Sequence, residues 1–128
     1  MLRTSARVGA FAGALALTLV SVAPALAHQD AERRGHCSGH ADWRLKVKPD
    51  DGRLDVEGEV DANHSGQTWK WRLLHDGGVS YRGTKKTSGS SGSFKVERRV
   101  VDSPGRDGIG WRATNVRSGQ RCHGYVAI

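Results

Sequence analysis

Apolar and polar residues alternate with a period of two over most of the chain beyond residue 42, and helical spacing does not occur there. Trp43, Leu45 and Val47, for example, alternate with arginine and lysine. This period places successive side chains on opposite faces of a β-strand. We therefore predict a β-sandwich, in which about seven short strands are separated by turns. The seven predicted strands are residues 43–48, 54–61, 69–73, 79–81, 94–100, 109–114 and 122–128.

The turn after the first predicted strand gives a register that can be tested. Residues 49–52 include a glycine, which supplies the positive φ that a hairpin loop needs. Closing this turn with Lys48 opposite Arg53 places Trp43 opposite Gly58. A large ring over a glycine compensates for the weak packing of that glycine in a strand.

The last hairpin gives a second register. Residues 117–120 form its predicted turn, and we expect Val116 to lie opposite Arg121. This register pairs Trp111 with Val126 and makes one face of both strands almost wholly apolar. Such a face is expected to be buried, since a slip of one residue would turn it toward solvent.

The N-terminus carries the pattern of an export signal. Arg3 and Arg7 precede an uncharged, apolar stretch over residues 8–26, and small residues at 25 and 27 fit a signal-peptidase site. We predict that residues 1–27 are a signal peptide with a helical apolar segment, and that the mature protein is secreted without a membrane span. The alternative is an uncleaved membrane anchor, because the stretch is about long enough to cross a bilayer.

Export changes the interpretation of the two cysteines. In an oxidising compartment two cysteines usually pair, so we predict a disulfide between Cys37 and Cys122. The alternative is a free thiol or a metal thiolate. The bridge would join the two ends of a domain formed by residues 37–128. The polar residues 28–36 before it are predicted to be a flexible tail.

Basic residues outnumber acidic ones. The chain has a net charge of +7, and removal of the two arginines of the predicted signal leaves 18 basic and 13 acidic residues, a net charge of +5. Such a domain could bind a polyanion such as nucleic acid, teichoic acid or an anionic membrane. The basic residues without a predicted acidic partner are Lys70, Arg72, Arg82, Lys85, Lys86, Arg98 and Arg99.

The alternative is a solvated surface whose charges neutralise one another. The first predicted register sets Arg44 opposite Glu57 and Lys46 opposite Asp55. Opposite charges on neighbouring strands stabilise a sheet, and they also discourage aggregation through its edges.

Histidines give the one lead toward a metal. His28 would be the first residue of the mature chain, and its free amine and imidazole together suit Cu(II). His36, His40 and His123 neighbour the two cysteines, so the disulfide would gather them near one end of the sandwich. Copper is therefore a candidate cofactor with these four histidines as ligands. The alternative is a frayed N-terminus whose histidines contact only water.

Catalytic motifs are absent from the sequence. It contains no nucleophile elbow, no zinc-protease helix motif and no phosphate-binding glycine loop. The carboxylates at positions 55, 57, 59 and 61 lie along one strand face, where a charge ladder explains them. Without a nucleophile paired with a base, or a metal paired with a base, we predict a protein that is not an enzyme.

Residues 107–115, Asp-Gly-Ile-Gly-Trp-Arg-Ala-Thr-Asn, resemble the sixth strand of an immunoglobulin-like domain. Ala113 and Asn115 match the family's pattern, while Ile109 and Trp111 stand where that family has Tyr and Cys. The resemblance implies an all-β fold: a seven-stranded antiparallel immunoglobulin-like or fibronectin-type β-sandwich after the signal helix.

The whole chain is similar to small secreted proteins of actinobacteria, in keeping with its Ala-rich signal and its preference for Arg over Lys. In size it also resembles two secreted sandwich families, the enediyne-carrying apoproteins and the periplasmic copper-resistance carriers. The latter also begin with a mature histidine, the position that His28 would take.

These features together predict a secreted, non-enzymatic binding or interaction module. Its partner would be an extracellular or cell-surface protein or a polyanion. Two alternatives stay open: a copper-binding carrier that uses His28, and a basic binder of polyanions or cell wall.

Overall fold

The computed structural model describes residues 9–21 and 29–128, and its regular structure is entirely β. Within these residues eight antiparallel strands form two four-stranded sheets, which confirms the predicted all-β sandwich. The strands are β1 (Ala31–His36), β2 (Asp42–Asp50), β3 (Arg53–Asp61), β4 (Thr68–His75), β5 (Gly78–Lys86), β6 (Ser93–Val101), β7 (Gly108–Asn115) and β8 (Arg121–Ala127).

The two sheets have the orders β1-β2-β3-β6 and β5-β4-β7-β8, called here the first and second sheet. Strands β2 to β8 follow the immunoglobulin-type arrangement, in which A, B and E pair in one sheet and C′, C, F and G in the other. β1 is an additional strand on the outer edge of β2.

β1 corrects the prediction of a flexible tail over residues 28–36 and raises the strand count from seven to eight. It pairs with β2 from Ala31 opposite Val47 to His36 opposite Asp42. Its sequence lacks an apolar alternation, so the pattern of hydrophobic residues gave no signal for a strand. Backbone hydrogen bonds to β2 are sufficient for an edge strand that buries little side-chain surface.

The core lies between the sheets and is formed by the inward residues that the alternation predicted. Trp69 and Trp111 are fully buried, and Trp71 is 3% exposed. Phe94 of the first sheet contacts both fully buried tryptophan rings, at centroid distances of 6.2 Å. The prediction of which residues face inward on each strand, and with it the predicted burial of these rings, is therefore confirmed.

The register of the first hairpin is shifted by two residues from the predicted one. Asp50 lies opposite Arg53, because the turn consists of only Asp51 and Gly52, both with positive φ. Trp43 therefore lies opposite Val60. A shift of two leaves every side chain on its predicted face.

The ring predicted to cover Gly58 is also a different one. Trp111, from the opposite sheet, packs over Gly58. Trp43 instead packs over Gly35 of the neighbouring strand and Gly124 of the opposite sheet, where an added Cβ would lie 2.5 Å from a ring carbon. These glycines leave room for indole rings between the sheets.

The last hairpin is also shifted by two residues, in the opposite direction. Trp111 lies opposite Gly124 instead of Val126. The reason is that β7 ends at Asn115, whose backbone amide donates a hydrogen bond to the carbonyl of Gln120. The turn therefore begins one residue earlier than predicted. As in the first hairpin, the buried face is unchanged.

The disulfide between Cys37 and Cys122 is present, with an S–S distance of 2.04 Å, which confirms the predicted pairing. Cys37 lies in the loop between β1 and β2, and Cys122 lies on β8. The bridge therefore connects the first sheet to the second at the edge where β8 faces β1 and β2.

Residues 9–21 have no regular structure, so the predicted signal helix is wrong for this stretch. An isolated helix this short is only marginally stable in water. The side chains of Phe11, Leu15 and Leu17 are almost completely exposed and pack against no part of the sandwich. In the described residues no helix is long and apolar enough to cross a membrane. The predicted cleavage site and His28 lie outside the described residues.

Candidate functional site

A row of basic side chains crosses the outer face of the second sheet. Arg72 on β4 lies directly opposite Arg82 on β5 and Arg112 on β7, and Arg112 lies opposite His123 on β8. All four residues are exposed. Neighbouring strands are about 4.8 Å apart, so the row spans roughly 14 Å.

A second row runs parallel to the first, two residues along the strands. Lys70 lies opposite Thr84 and Thr114, and Thr114 lies opposite Arg121. Lys86 lies on the same face one step further, opposite Thr68. We call this surface the basic face; its charged or titratable members are Lys70, Arg72, Arg82, Lys86, Arg112, Arg121 and His123.

The basic face has no acidic counterpart. The strands β4, β5, β7 and β8 contain no Asp or Glu at all. Among the described residues, no member of the basic face has a carboxylate within 4.0 Å, and none uses its side chain in a hydrogen bond to another residue. Its side chains are therefore available to an external anion.

The outer face of the first sheet shows the opposite arrangement. Arg44 contacts both Glu57 and Glu59, the second at 2.9 Å. Arg99 donates to Asp55 at 2.7 Å. The predicted paired surface therefore describes this sheet, although its strand partners differ: Glu59 lies opposite Arg44, and Glu57 reaches it diagonally.

The alignment of like charges on the second sheet opposes folding. Like charges directly opposite each other destabilise a pair of strands, and Arg72 has an arginine on both sides. Carboxylates beside the cations, like those that contact Arg44 and Arg99 on the first sheet, would be the more stable choice. What the arrangement favours is contact with anions, because a guanidinium presents a planar fork of donors that matches a phosphate or carboxylate.

Four of the seven basic residues predicted from the sequence lie on the basic face: Lys70, Arg72, Arg82 and Lys86. Lys85 lies on the other side of β5, opposite the buried Trp69. Arg98 and Arg99 belong to β6 of the first sheet, so the structure separates them from the others.

The two arginines of β6 also have partners, contrary to the prediction. Arg99 is engaged by Asp55, and Asp50 lies 3.7 Å away from it. The guanidinium carbon of Arg98 lies 5.2 Å from the ring centroid of Trp71 and 5.7 Å from that of Tyr81, as in cation–π contacts.

Sequence reasoning missed three members of the basic face, Arg112, Arg121 and His123. The alternation does place Arg112 on an outward position. Its relation to Arg72, however, depends on the pairing of β4 with β7. The paired residues of these strands are 34 to 46 positions apart and carry no local signal of that pairing.

In the part of the chain that the structure describes, the predicted copper ligands His36, His40 and His123 do not form a group of donors within 4.8 Å of one another, and His28 lies outside that part. Cys37 and Cys122 both point into the core, so their neighbours His36 and His123 point outward from different sheets. The Nδ1 atom of His36 lies 2.5 Å from a carboxylate oxygen of Asp42, and His40 is exposed in the loop before β2.

The described residues contain one group of three potential metal donors within 4.8 Å of one another, and it lies elsewhere, at His75, Asp76 and Asp107. The Nε2 atom of His75 lies 2.7 Å from Oδ1 of Asp107, whose side chain is 1% exposed. Asp76 accepts a hydrogen bond from the amide of Gly108 at 2.7 Å. These contacts fasten the β4–β5 turn to the start of β7.

Asp107 is ionised more readily than an ordinary aspartate. Burial by itself raises the pKa of Asp107, but hydrogen bonds from the His75 ring and from Ser103 outweigh it and hold that pKa below its usual value. The hydrogen bond between the half-buried His75 and the buried Asp107 therefore gives these two residues a sufficient structural role.

A polar depression of about 900 Å³ lies at the end of the sandwich that contains His40, His64 and Arg117. Its amide side chains hold the surrounding loops. Asn115 accepts from the amides of Arg117 and Ser118, and Gln120 accepts from the amide of Ala41 at 2.8 Å. These groups are therefore occupied by the fold itself.

Comparison with protein-family models, with curated proteins and with solved structures gives no match for this chain. The resemblances to secreted actinobacterial proteins and to the two sandwich families stay predictions. Function is therefore inferred from the basic face and its surroundings.

Proposed function

We propose that this chain is an exported, non-enzymatic binding module that holds a polyanion on the basic face. The observation that carries the proposal is the alignment of Arg82, Arg72 and Arg112 directly opposite one another on a sheet whose strands contain no acidic residue. This alignment is unfavourable for folding and favourable for binding anions.

The shape of the surface favours a polymer over a small anion. The basic face is an exposed sheet surface on which the cations are spread over four strands. A single ion contact at such an exposed site contributes little, about 0–1 kcal/mol. Several contacts to one chain add up and gain further from counterion release, which is how polyanions are held.

Export to an oxidising compartment fits the remaining features. The disulfide that joins the two sheets is of the kind that persists outside the cytosol. The apolar side chains over residues 9–21 have no packing partner in the sandwich, as expected of a segment that serves export and not the fold.

The proposal is tested by measuring the affinity of the purified protein for a phosphate-rich polyanion at two salt concentrations. A module that neutralises about five phosphates should lose roughly 100-fold in affinity between about 50 and 200 mM salt. Replacing the three aligned residues by Arg72→Gln, Arg82→Gln and Arg112→Gln should weaken binding at least about 10-fold and flatten the salt dependence.

A matched control removes the same number of positive charges from the outer face of the first sheet. The substitutions are Lys46→Gln, Lys48→Gln and Lys95→Gln, and each of these lysines lies opposite a carboxylate of β3. Only a small loss is expected, because the local field there is already neutralised. Equal losses in the two triple variants would show that net charge alone matters and would contradict a dedicated face.

A further inference from the structure

The two rows of the basic face form a track across the strands. The first row contains Arg82, Arg72, Arg112 and His123, and the second contains Thr84, Lys70, Thr114 and Arg121. Steps along a row are about 4.8 Å, and the rows are about 7 Å apart, since two residues along a strand rise by that amount. A polymer that crosses the strands meets donors from both rows at every step.

We infer that the occupant of this track is a phosphodiester polymer whose repeating unit carries no aromatic base, such as an alditol phosphate chain. The inference rests on the proposed function and specifies its ligand. A phosphodiester has one charge per repeat, carried within the backbone itself, so successive charges can follow a line of closely spaced cations. A pendant charge on a bulky repeat follows such a line less well.

The donor types favour phosphate. Arg72, at the centre of the first row, and its neighbour Arg112 present guanidinium forks, which bind tetrahedral oxyanions through two parallel hydrogen bonds. Thr84 and Thr114 add hydroxyl donors on either side of Lys70. Arginine forks beside hydroxyls supply several directed donors to one phosphate group.

The aromatic residues argue against a single-stranded nucleic acid. Binding of single strands uses exposed aromatic side chains on which bases stack. Trp69, Trp71 and Trp111 are buried on the inner side of the second sheet. Tyr125 is exposed on the outer side, but its ring lies against Gly108, and an added Cβ there would come 2.6 Å from its hydroxyl. The track therefore offers contacts to a backbone and no platform for bases.

A lipid surface is also disfavoured. Membrane binding that persists combines positive charge with apolar side chains that enter the headgroup region. The track itself consists of Arg, Lys, Thr and His only.

The test compares the full-length exported protein with probes of equal charge: a poly(glycerol phosphate), an abasic deoxyribose-phosphate oligomer, the thymidine oligonucleotide of the same length, a dextran sulfate and poly-glutamate. We expect the two base-free phosphodiesters to bind at least as tightly as the oligonucleotide. They should bind at least about 10-fold more tightly than dextran sulfate and poly-glutamate, because only the phosphodiesters carry their charge within the backbone.

Each other result has its own meaning. A preference of about 10-fold or more for the oligonucleotide over the abasic oligomer would overturn the base-free ligand and leave the proposed function intact. Binding of dextran sulfate or poly-glutamate as tight as that of the phosphodiesters would overturn the selection of phosphate. Phosphatidylglycerol vesicles are tested alongside these probes, and binding to the vesicles but to none of the polymers would overturn the polymeric ligand. No binding to any probe would contradict the proposed function itself.

The variant Arg72→Lys separates the fork from the charge. It keeps the positive charge and the exposed position, so the fold should change little. Affinity for poly(glycerol phosphate) should fall about 3- to 10-fold, since one ammonium cannot replace two parallel hydrogen bonds. An unchanged affinity for poly(glycerol phosphate) would show that charge alone is sensed and would overturn the assignment.

Discussion

Arg72 and Arg112 lie directly opposite each other on the two central strands of the second sheet. Both side chains are exposed, and neither strand contains an acidic residue. Cross-strand partners are about 5 Å apart at their Cβ atoms, so the two guanidiniums repel each other in the free protein. An anion bound between the two guanidiniums would attract both of them. Binding of an anion at the basic face should therefore stabilise the second sheet.

This relationship predicts a variant that gains stability while it loses affinity. Arg72→Thr removes the central positive charge and introduces a residue that suits a strand. We expect the free energy of unfolding to rise by about 0.2–1 kcal/mol at low salt, with a smaller gain at high salt. Urea denaturation at two salt concentrations measures both, and polyanion affinity should fall in the same variant.

Arg99→Thr is the matched control on the other sheet. The same substitution there removes the hydrogen bond to Asp55 and should lower the free energy of unfolding by up to about 1 kcal/mol. Both variants replace arginine by threonine in a strand, so they share the change in strand propensity. Changes of opposite sign in the free energy of unfolding would therefore isolate the electrostatic contribution. A loss of stability in Arg72→Thr would contradict the predicted repulsion.

A second prediction concerns the packing of Trp111 over Gly58. A Cβ at position 58 would overlap the indole ring, which is fully buried and cannot move aside. Gly58→Ala should therefore lower the free energy of unfolding by about 1–3 kcal/mol, as overpacking does. Gly78→Ala is the control, since the nearest atom to a Cβ there is 3.7 Å away. Equal stability of the two variants would show that the ring does not fill this space.

The sequence predicts the sandwich and its inward residues because both depend on local alternation. Trp69 and Trp71 are buried as their parity requires. The registers depend instead on the residue at which each strand ends, and either hairpin can shift by two without exposing an apolar side chain. The pattern of burial therefore cannot distinguish the turn 49–52 from the tighter turn that the structure has.

The basic face could be predicted only in part for a related reason. Alternation shows that Arg72 and Arg112 point outward, but their meeting depends on which strands pair over a long separation in sequence. For Arg99 the sequence wrongly predicts that no acidic partner is present, because its partner Asp55 is 44 positions away. β1 escaped prediction because its inward side carries little apolar surface.

A third prediction concerns the disulfide. Replacing Cys37 and Cys122 by serine releases a loop closed over a separation of 85 residues. In the chain-entropy account such a bridge contributes up to about 4–5 kcal/mol, mainly by restricting the unfolded chain. The double variant should melt at a clearly lower temperature while its circular dichroism keeps the signal of strands, because the tryptophan core does not depend on the bridge. An unchanged melting temperature would contradict this role.

The last prediction concerns the stability of the fold in acid, through the hydrogen bond between the half-buried His75 and the buried Asp107. Because hydrogen bonding holds the pKa of Asp107 below its usual value, the folded state favours the ionised carboxylate. That contribution is complete above the unfolded pKa of about 3.9 and is lost as the pH falls through the lower folded pKa. Asp107→Asn should therefore lower the free energy of unfolding by about 1.5–3 kcal/mol at neutral pH. The two stability curves should converge below about pH 4.

Asp76→Asn is the control for this prediction. Asparagine tolerates the positive φ of 49° at this position and can still accept a hydrogen bond from the amide of Gly108. The stability curve of Asp76→Asn should therefore follow that of the unsubstituted protein. A constant difference between Asp107→Asn and the unsubstituted protein across the acid range would show that the carboxylate does not stabilise the fold through its charge.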